Sequence, residues 1–318
     1  MEKKKKILFI GIAGGLALMT ARLILSENPD WEIVGIDSRN ISDLYPIKNL
    51  TALQMKYSRG NFENLFRGHQ FDAVYHLGRI SHASNEQNIL AKRIDLSVMG
   101  TNRILEMCER SGVEKVIILS TFHVYGALSD NPIFLTEDAP LRASIKNPEL
   151  RDVVEMDQIS TNWMWKNQNT ISTVVLRPCN IIGTKIQNAM TKFLAGPVAL
   201  SPVDYNPFFQ FIHEFDMAQI LYRALTKLPT GTYNVAGNDF ISMREALKVV
   251  GTTGIPFPMM LAGGFNRMLK KLSIEVPAYL IDYLKYSCLI SNHELKKHLG
   301  DEFHRFSIKE ALDLIKLR

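Results

Sequence analysis

The chain has 318 residues, of which 46% are apolar and 22% charged, with a net charge of +5; that supplies a sizeable core for one large α/β domain, or for a domain with a smaller lobe. Lysines and arginines are scattered apart from the run at residues 3–6, so nucleic acid is not an expected partner. Cys108, Cys179 and Cys288 are an odd number with no CxxC or Cys/His cluster, which argues against a disulfide framework or a metal site and points to a reducing cytoplasm.

Residues 1–40 read MEKKKKILFIGIAGGLALMTARLILSENPDWEIVGIDSRN. Lysines ahead of an apolar run invite comparison with an export signal or a membrane anchor. However, Gly11, Gly14 and Gly15 interrupt the run and Arg22 ends it. Residues 7–19 also fall short of the roughly 20 apolar residues that span a bilayer. No later segment is apolar enough to do so. A strand is predicted over 6–11, a helix over 16–26 and a second strand over 32–37 (EIVGID). Strands follow at 71–77, 115–120 and 172–178, with helices at 96–111 and about 152–167 between them. Alternation of this kind predicts βαβ units in a doubly wound parallel sheet of Rossmann type.

The turn between the first strand and helix carries Gly11, Ala13, Gly14, Gly15 and Leu16, with Ala17 just inside the helix. Gly11 permits the tight turn, Gly14 lets the backbone approach a pyrophosphate, and the small Ala17 allows close helix–strand packing. The helix N-terminus offers free N–H groups and the positive end of its dipole. The second strand ends in Asp37, 20 positions after Ala17. A carboxylate there can accept the ribose hydroxyls of NAD and repel a 2′-phosphate. Ser38 and Arg39 flank it, and Arg39 is close enough to admit NADP as well. Together these features read the opening as a nucleotide loop. Residues 1–182, with 210–240 returning to them, are expected to form the NAD(P)-binding domain. From 183 onward prolines punctuate a looser pattern, which predicts a smaller substrate lobe, mainly 183–318, at the carboxyl edge of the sheet.

The chain resembles the extended short-chain dehydrogenase/reductase family, the NAD-dependent epimerases and dehydratases of nucleotide sugars. The likeness is carried by GIAGGLA, VYHLGR, SVMGTNRILEMCERSGVEKVIILSTFHVYG, VVLRPCNIIG, FIHEFDMA and GTYNVAGNDFISMREAL, in the family's order. It implies cofactor contacts from Leu77, Gly78, Arg79, Ser97 and Ser120. It also implies that Thr121 is the catalytic hydroxyl, which hydrogen-bonds the substrate alcohol. His123, Tyr125 and Asn180 fall beside the implied substrate cleft. A homodimer paired through helices of the Rossmann domain is the assembly that the resemblance suggests.

The likeness breaks at the catalytic pair. The family's YxxxK pair belongs on the helix before VVLRP, yet no tyrosine occurs between Tyr125 and Tyr205. One register puts Glu149 and Val153 at the two positions and Asp157 on the acidic position that follows. Ser97 replaces an asparagine, Arg79 a small residue, and Phe209 an arginine that holds the diphosphate in many nucleotide-sugar enzymes. Glu149, Asp152 or Glu155 could serve as an atypical base if burial raised a carboxyl pKa from near 4. A solvent-facing helix surface is the simpler account of the same acids.

Residues 256–290 are rich in Met, Leu, Phe and Tyr, with Arg267, Lys270 and Lys271 interspersed. That spacing predicts one or two amphipathic helices, forming core or an apolar pocket wall, or else a membrane-surface element. The expected function is an epimerase/dehydratase-type oxidoreductase acting on a small molecule, a nucleotide sugar or a related hydroxylated metabolite, with Thr121 and Glu149 as catalytic residues. The alternative is an NAD(P)-binding sensor or scaffold without turnover.

Overall fold

A computed structural model describes residues 4–41, 46–78, 95–186, 188–261, 278–301 and 303–317. Strands β1 (Lys6–Ile10) and β2 (Glu32–Asp37) flank helix α1 (Gly15–Glu27). Then come β3 (Leu50–Gln54), α2 (Arg59–Gly68), β4 (Ala73–His76), α3 (Gly100–Arg110) and β5 (Lys115–Leu119). Helix α4 (Arg151–Lys166) leads into β6 (Ser172–Pro178). The sheet has seven strands in the order β11-β6-β5-β4-β1-β2-β3, where β11 is Gly231–Val235. Every pairing within it is parallel. This is an α/β Rossmann sheet, reversing direction of build at β1 and β4, and such a reversal opens a crevice at the carboxyl ends of the strands.

Because helices cover both faces, the inner strands are apolar on both sides. Alternate side chains of β1 show this directly. Ile7 and Phe9 face one core with Tyr75, Ala21 and Ile24, while Leu8 and Ile10 face the other with Phe62, Ile104 and Cys108. Helix α6 (Glu214–Thr226) completes the first layer with Met217 and Leu221, and α5 (Ala189–Ala195) and α7 (Met243–Val250) add Leu194 and Leu247 to the same core.

Up to residue 178 the predicted elements fall within a residue or two of those observed, with two exceptions. Strand β3 and helix α2 escaped the pattern, since β3 is an edge strand that alternates only partly buried and exposed positions. The helix expected over 96–111 begins as a π-helical turn, Asp95–Met99, before continuing as α3. Beyond residue 180 three two-stranded pairs form: β7 (Asn180–Ile182) with β10 (Phe211–His213) in parallel, β8 (Val198–Pro202) with β13 (Thr253–Phe257) in parallel, and β9 (Phe208–Phe209) with β12 (Ile241–Ser242) antiparallel. Within 256–290, where one or two helices are predicted, the described residues begin with the end of the strand Thr253–Phe257 and a 3-10 turn at Met259–Leu261. Helix α8 (Ala278–Tyr283) follows. Arg267, Lys270 and Lys271 lie outside the described residues. No helix among the described residues is long and apolar enough to cross a membrane.

His76 ends β4 at 3% exposure, with Nε2 2.8 Å from the Thr101 hydroxyl. That hydroxyl itself donates to the Ser97 carbonyl, so the ring is assigned as the Nε2–H donor. Burial pushes the His76 pKa down to about 4. Below the usual 6.5 an unfolded chain takes up a proton that the folded one refuses. Stability is therefore full above pH 6.5 and falls as pH drops toward 4. Thermal melts should show a lower midpoint at pH 5 than at pH 7, and His76→Gln should shrink the difference. A difference that His76→Gln leaves unchanged would assign it to other groups.

Candidate active site

At the carboxyl ends of β1, β4, β5 and β6 lies a cleft of about 410 Å³. One wall is the loop from Gly11 to Leu16, backed by Ala17 and Arg39. Gly11 has φ +94°, and a Cβ there would come within 2.6 Å of the Gly78 Cα. The first turn of α1 has no side-chain cap and no acidic residue, so its unshared N–H groups suit a diphosphate. Facing it is a lysine that sequence reasoning missed. A Cβ on Gly15 would meet Lys185 Cβ at 2.7 Å, and Lys185 lines the cleft. The Lys185 backbone N–H donates to buried Glu214 at 3.0 Å, which anchors that loop against the start of α6. Its only sequence signal was a cation just after the IIG motif.

Asp37 is 2% exposed and lies beneath the cleft wall. Its Oδ2 accepts the Ala13 N–H at 3.0 Å. Arg39 grips the same carboxylate through Nε at 3.0 Å and Nη2 at 2.9 Å, and through its backbone N–H at 2.9 Å. Burial alone would raise the Asp37 pKa, but the bonds and charge of Arg39 and the Ala13 N–H outweigh it and hold the carboxyl below its usual range. The sequence paired Asp37 with a ribose; the structure adds that Arg39 already occupies both oxygens. Tyr57, also unforeseen, brings its hydroxyl to the backbone of Gly11 and Ser38 and within 3.3 Å of the position a Gly78 Cβ would take.

The second wall comes from Leu77, Leu119, Ser120, Thr121 and His123, and the third from Asn180 and its neighbours. Thr121 is 4% exposed and caps the 3-10 turn Phe122–Val124, its Oγ1 accepting the His123 N–H at 3.4 Å. Asn180 donates from Nδ2 to the Gln210 carbonyl at 3.3 Å, which fixes its amide at the cleft edge. Tyr279 and Leu280 of α8 close the remaining side. Among the described residues no group of three His, Cys, Asp or Glu is placed to hold a metal ion.

Several expected site residues stand elsewhere. Tyr125 is 1% exposed and off the cleft, donating to Asn234 Oδ1 at 2.8 Å and accepting from Arg177 at 2.8 Å. Substrate contact is thus corrected to a place in a buried network, and burial raises its pKa to about 12 despite Arg177. Ser97 is also buried, with its carbonyl bonded to Thr101. Glu149 sits in the turn Pro148–Leu150, where its carboxylate accepts the Tyr279 N–H at 2.5 Å rather than lining the cleft. Val153 is 2% exposed and Asp157 pairs with Arg177 inside the core. Phe209 is a core side chain. Arg79 lies outside the described residues.

The sequence and the fold have counterparts among known proteins. An uncharacterized protein of Mycobacterium tuberculosis is 25% identical over 305 residues, covering 93% of this chain and 78% of that protein. The UDP-glucose 4-epimerase of Bacillus subtilis is 25% identical over 291 residues, covering 79% and 84%. The fold matches the crystal structure of dTDP-glucose 4,6-dehydratase from Bacillus anthracis in complex with NAD, with a TM-score of 0.73, 16% identity, and coverage of 98% and 96%. The family model for NAD dependent epimerases/dehydratases matches residues 7–236. With that model spanning most of its length, the chain belongs to the NAD dependent epimerase/dehydratase family.

Proposed function

We propose that the chain is an NAD-dependent oxidoreductase acting on a nucleotide sugar or a related hydroxylated metabolite. One observation carries the reading: a single cleft brings the uncapped N-terminus of α1 together with Thr121, His123 and Asn180. The Gly11–Leu16 loop and Lys185 would hold the dinucleotide diphosphate, and Asp37 or Arg39 its adenosine ribose. Bound NAD would supply the hydride-accepting ring. Thr121 would then orient the substrate hydroxyl, and its own oxygen is held in place by the His123 N–H. Leu77, Phe122 and Leu280 place apolar surface on the same walls, and apolar surroundings strengthen hydrogen bonds inside a cleft. The names of the Bacillus subtilis and Bacillus anthracis relatives support a nucleotide sugar as substrate.

The reading of a binding protein without turnover has one observation in its favour. In one register Glu149 and Val153 stand at the places expected for the tyrosine and lysine, and Val153 is buried. Calorimetric titration with NAD, NADH and NADP, followed by turnover assays on a panel of nucleotide sugars, separates the two. The enzyme reading expects binding of NAD or NADH, with turnover that falls at least tenfold in Thr121→Ala while dinucleotide binding is retained. A protein that binds NAD yet turns over no sugar of the panel favours the sensor. A protein that binds none of the three dinucleotides overturns both.

A further inference from the structure

Glu149 occupies the place in sequence where the proton-transferring tyrosine is expected, and its carboxylate is engaged by another tyrosine's backbone. The acceptor bond from Tyr279 N–H to Glu149 Oε1 measures 2.5 Å and joins residues 130 positions apart. It pins the first turn of α8 against the turn that precedes α4. The Tyr279 ring stands edge-on to His123, with centroids 5.4 Å apart and planes at 72°. A second T-shaped contact, to Tyr283 at 6.2 Å, fixes it from its own helix. Tyr279 is 3% exposed and lines the cleft beside Thr121 and His123.

We propose that Tyr279, delivered from the C-terminal segment and held by Glu149, is the proton-transfer residue of this cleft. The inference rests on the oxidoreductase reading above and names the group that reading left open. In oxidation the substrate's carbinol C–H bond breaks with its electron pair passing to an oxidised nicotinamide dinucleotide. The hydroxyl proton passes to the Tyr279 phenolate, leaving a carbonyl, a reduced dinucleotide and a neutral phenol. Carbonyl reduction runs the same steps backwards, with the phenol O–H supplying the proton. A phenol on a side chain that is 3% exposed is suited to this exchange, because burial limits the bulk water that competes for the proton. Glu149 is a positioning residue in this scheme.

The test reads the phenol directly and needs no substrate. Around Tyr279 the described titratable groups include Glu149 from the turn before α4, His123 from the turn after β5, Tyr283 and Asp282 from α8, and Lys185 in the lining of the same cleft. Asp282 is paired with Lys146 at 2.6 Å. Tyrosinate absorbance is titrated in the full-length protein with NAD and with NADH, over the pH range in which circular dichroism shows it folded. The cationic ring of NAD favours a phenolate beside it and the neutral ring of NADH does not. One phenol should therefore ionise at lower pH with NAD than with NADH. The difference should vanish in Tyr279→Phe, titrated at dinucleotide concentrations that saturate it, and should shrink in Glu149→Ala. A wild-type protein that binds both dinucleotides with identical phenol titrations overturns the assignment, as does a difference that survives in Tyr279→Phe. Failure to bind either dinucleotide instead removes the oxidoreductase reading beneath it.

Discussion

Asp157→Ala should lower the unfolding free energy by about 3–5 kcal/mol, the range found when one partner of a buried ion pair is removed. Asp157 is fully buried and Arg177 is 3% exposed. The guanidinium meets the carboxylate through Nη2 at 2.7 Å and Nε at 2.9 Å. Burial alone would push the Arg177 pKa down, yet Asp157 and Tyr125 together hold it above its usual value, so the side chain stays cationic at every working pH. Without Asp157 that charge keeps the Tyr125 hydroxyl and the Glu137 carbonyl as hydrogen-bond partners, each at 2.8 Å, with the Tyr125 ring face at 5.2 Å and the Glu137 carboxylate at longer range. Neither neutral group offsets the cost of a cation held away from water. The loss is large against the 5–15 kcal/mol of a typical folded domain. Urea denaturation measures it directly. The double variant Asp157→Leu/Arg177→Met should recover a good part, because it removes both charges. A single variant within 1 kcal/mol of wild type would mean that water or a neighbouring group already solvates Arg177.

The same substitution should reach the cleft. Asp157 accepts the Ser120 hydroxyl at 2.5 Å, and Ser120 precedes Thr121 at the end of β5. The network thus ties the tip of the strand that presents Thr121 to the buried side of α4. Its far end is Asn234 on β11, which receives the Tyr125 hydroxyl and donates its backbone N–H to Glu137 at 2.8 Å.

Much of this was legible in the amino-acid order, for definite reasons. A parallel strand buried on both faces reads as an unbroken apolar run, so β1, β2, β5 and β6 announced themselves. The turn between β1 and α1 was equally plain, because a simple tight turn does not need three glycines with an aspartate closing the next strand. Strand β3 did not stand out, because it lies at the sheet edge and its side chains alternate only weakly. Motif order placed Thr121, His123 and Asn180 at the cleft without any knowledge of burial. The same motif order put Tyr125 there too, but a hydroxyl that satisfies a buried arginine and one that meets a substrate look alike in sequence. The tie between Arg39 and Asp37 is two residues long and was within reach; that it fills both carboxylate oxygens was not. Tyr279 was hidden most completely. Its partner Glu149 is 130 positions away, and a search for a tyrosine four residues before a lysine covers only one helix. Spatial convergence of distant segments leaves no periodicity to detect.

Gly11→Ala should remove dinucleotide binding and destabilise the fold by several kcal/mol. Two independent costs meet at this position. The backbone φ of +94° lies where a Cβ crowds the following carbonyl, at about 1–2 kcal/mol for an L-residue. The added methyl would also sit 2.6 Å from Gly78 Cα and 2.8 Å from Gly78 N. Those are backbone atoms at the end of β4, so no side chain can rotate away, and overpacking of this kind typically costs a further 1–3 kcal/mol. The chain can relieve the clash only by spreading the ends of β1 and β4. That movement breaks the Gly11 N–H bond to the Ile36 carbonyl at 2.8 Å and the Gly14 N–H bond to the Gly11 carbonyl at 3.0 Å, which together shape the loop before α1. The uncapped amides of α1 would then no longer converge on one point, and a diphosphate would lose several bonds at once. At roughly 1.4 kcal/mol per decade, losing two such bonds of about 1.5–3 kcal/mol each weakens NAD binding a hundredfold or more. Calorimetry and a thermal melt on the same preparation check both halves. Unchanged NAD affinity in a folded Gly11→Ala protein would mean that the dinucleotide is held elsewhere than at this loop.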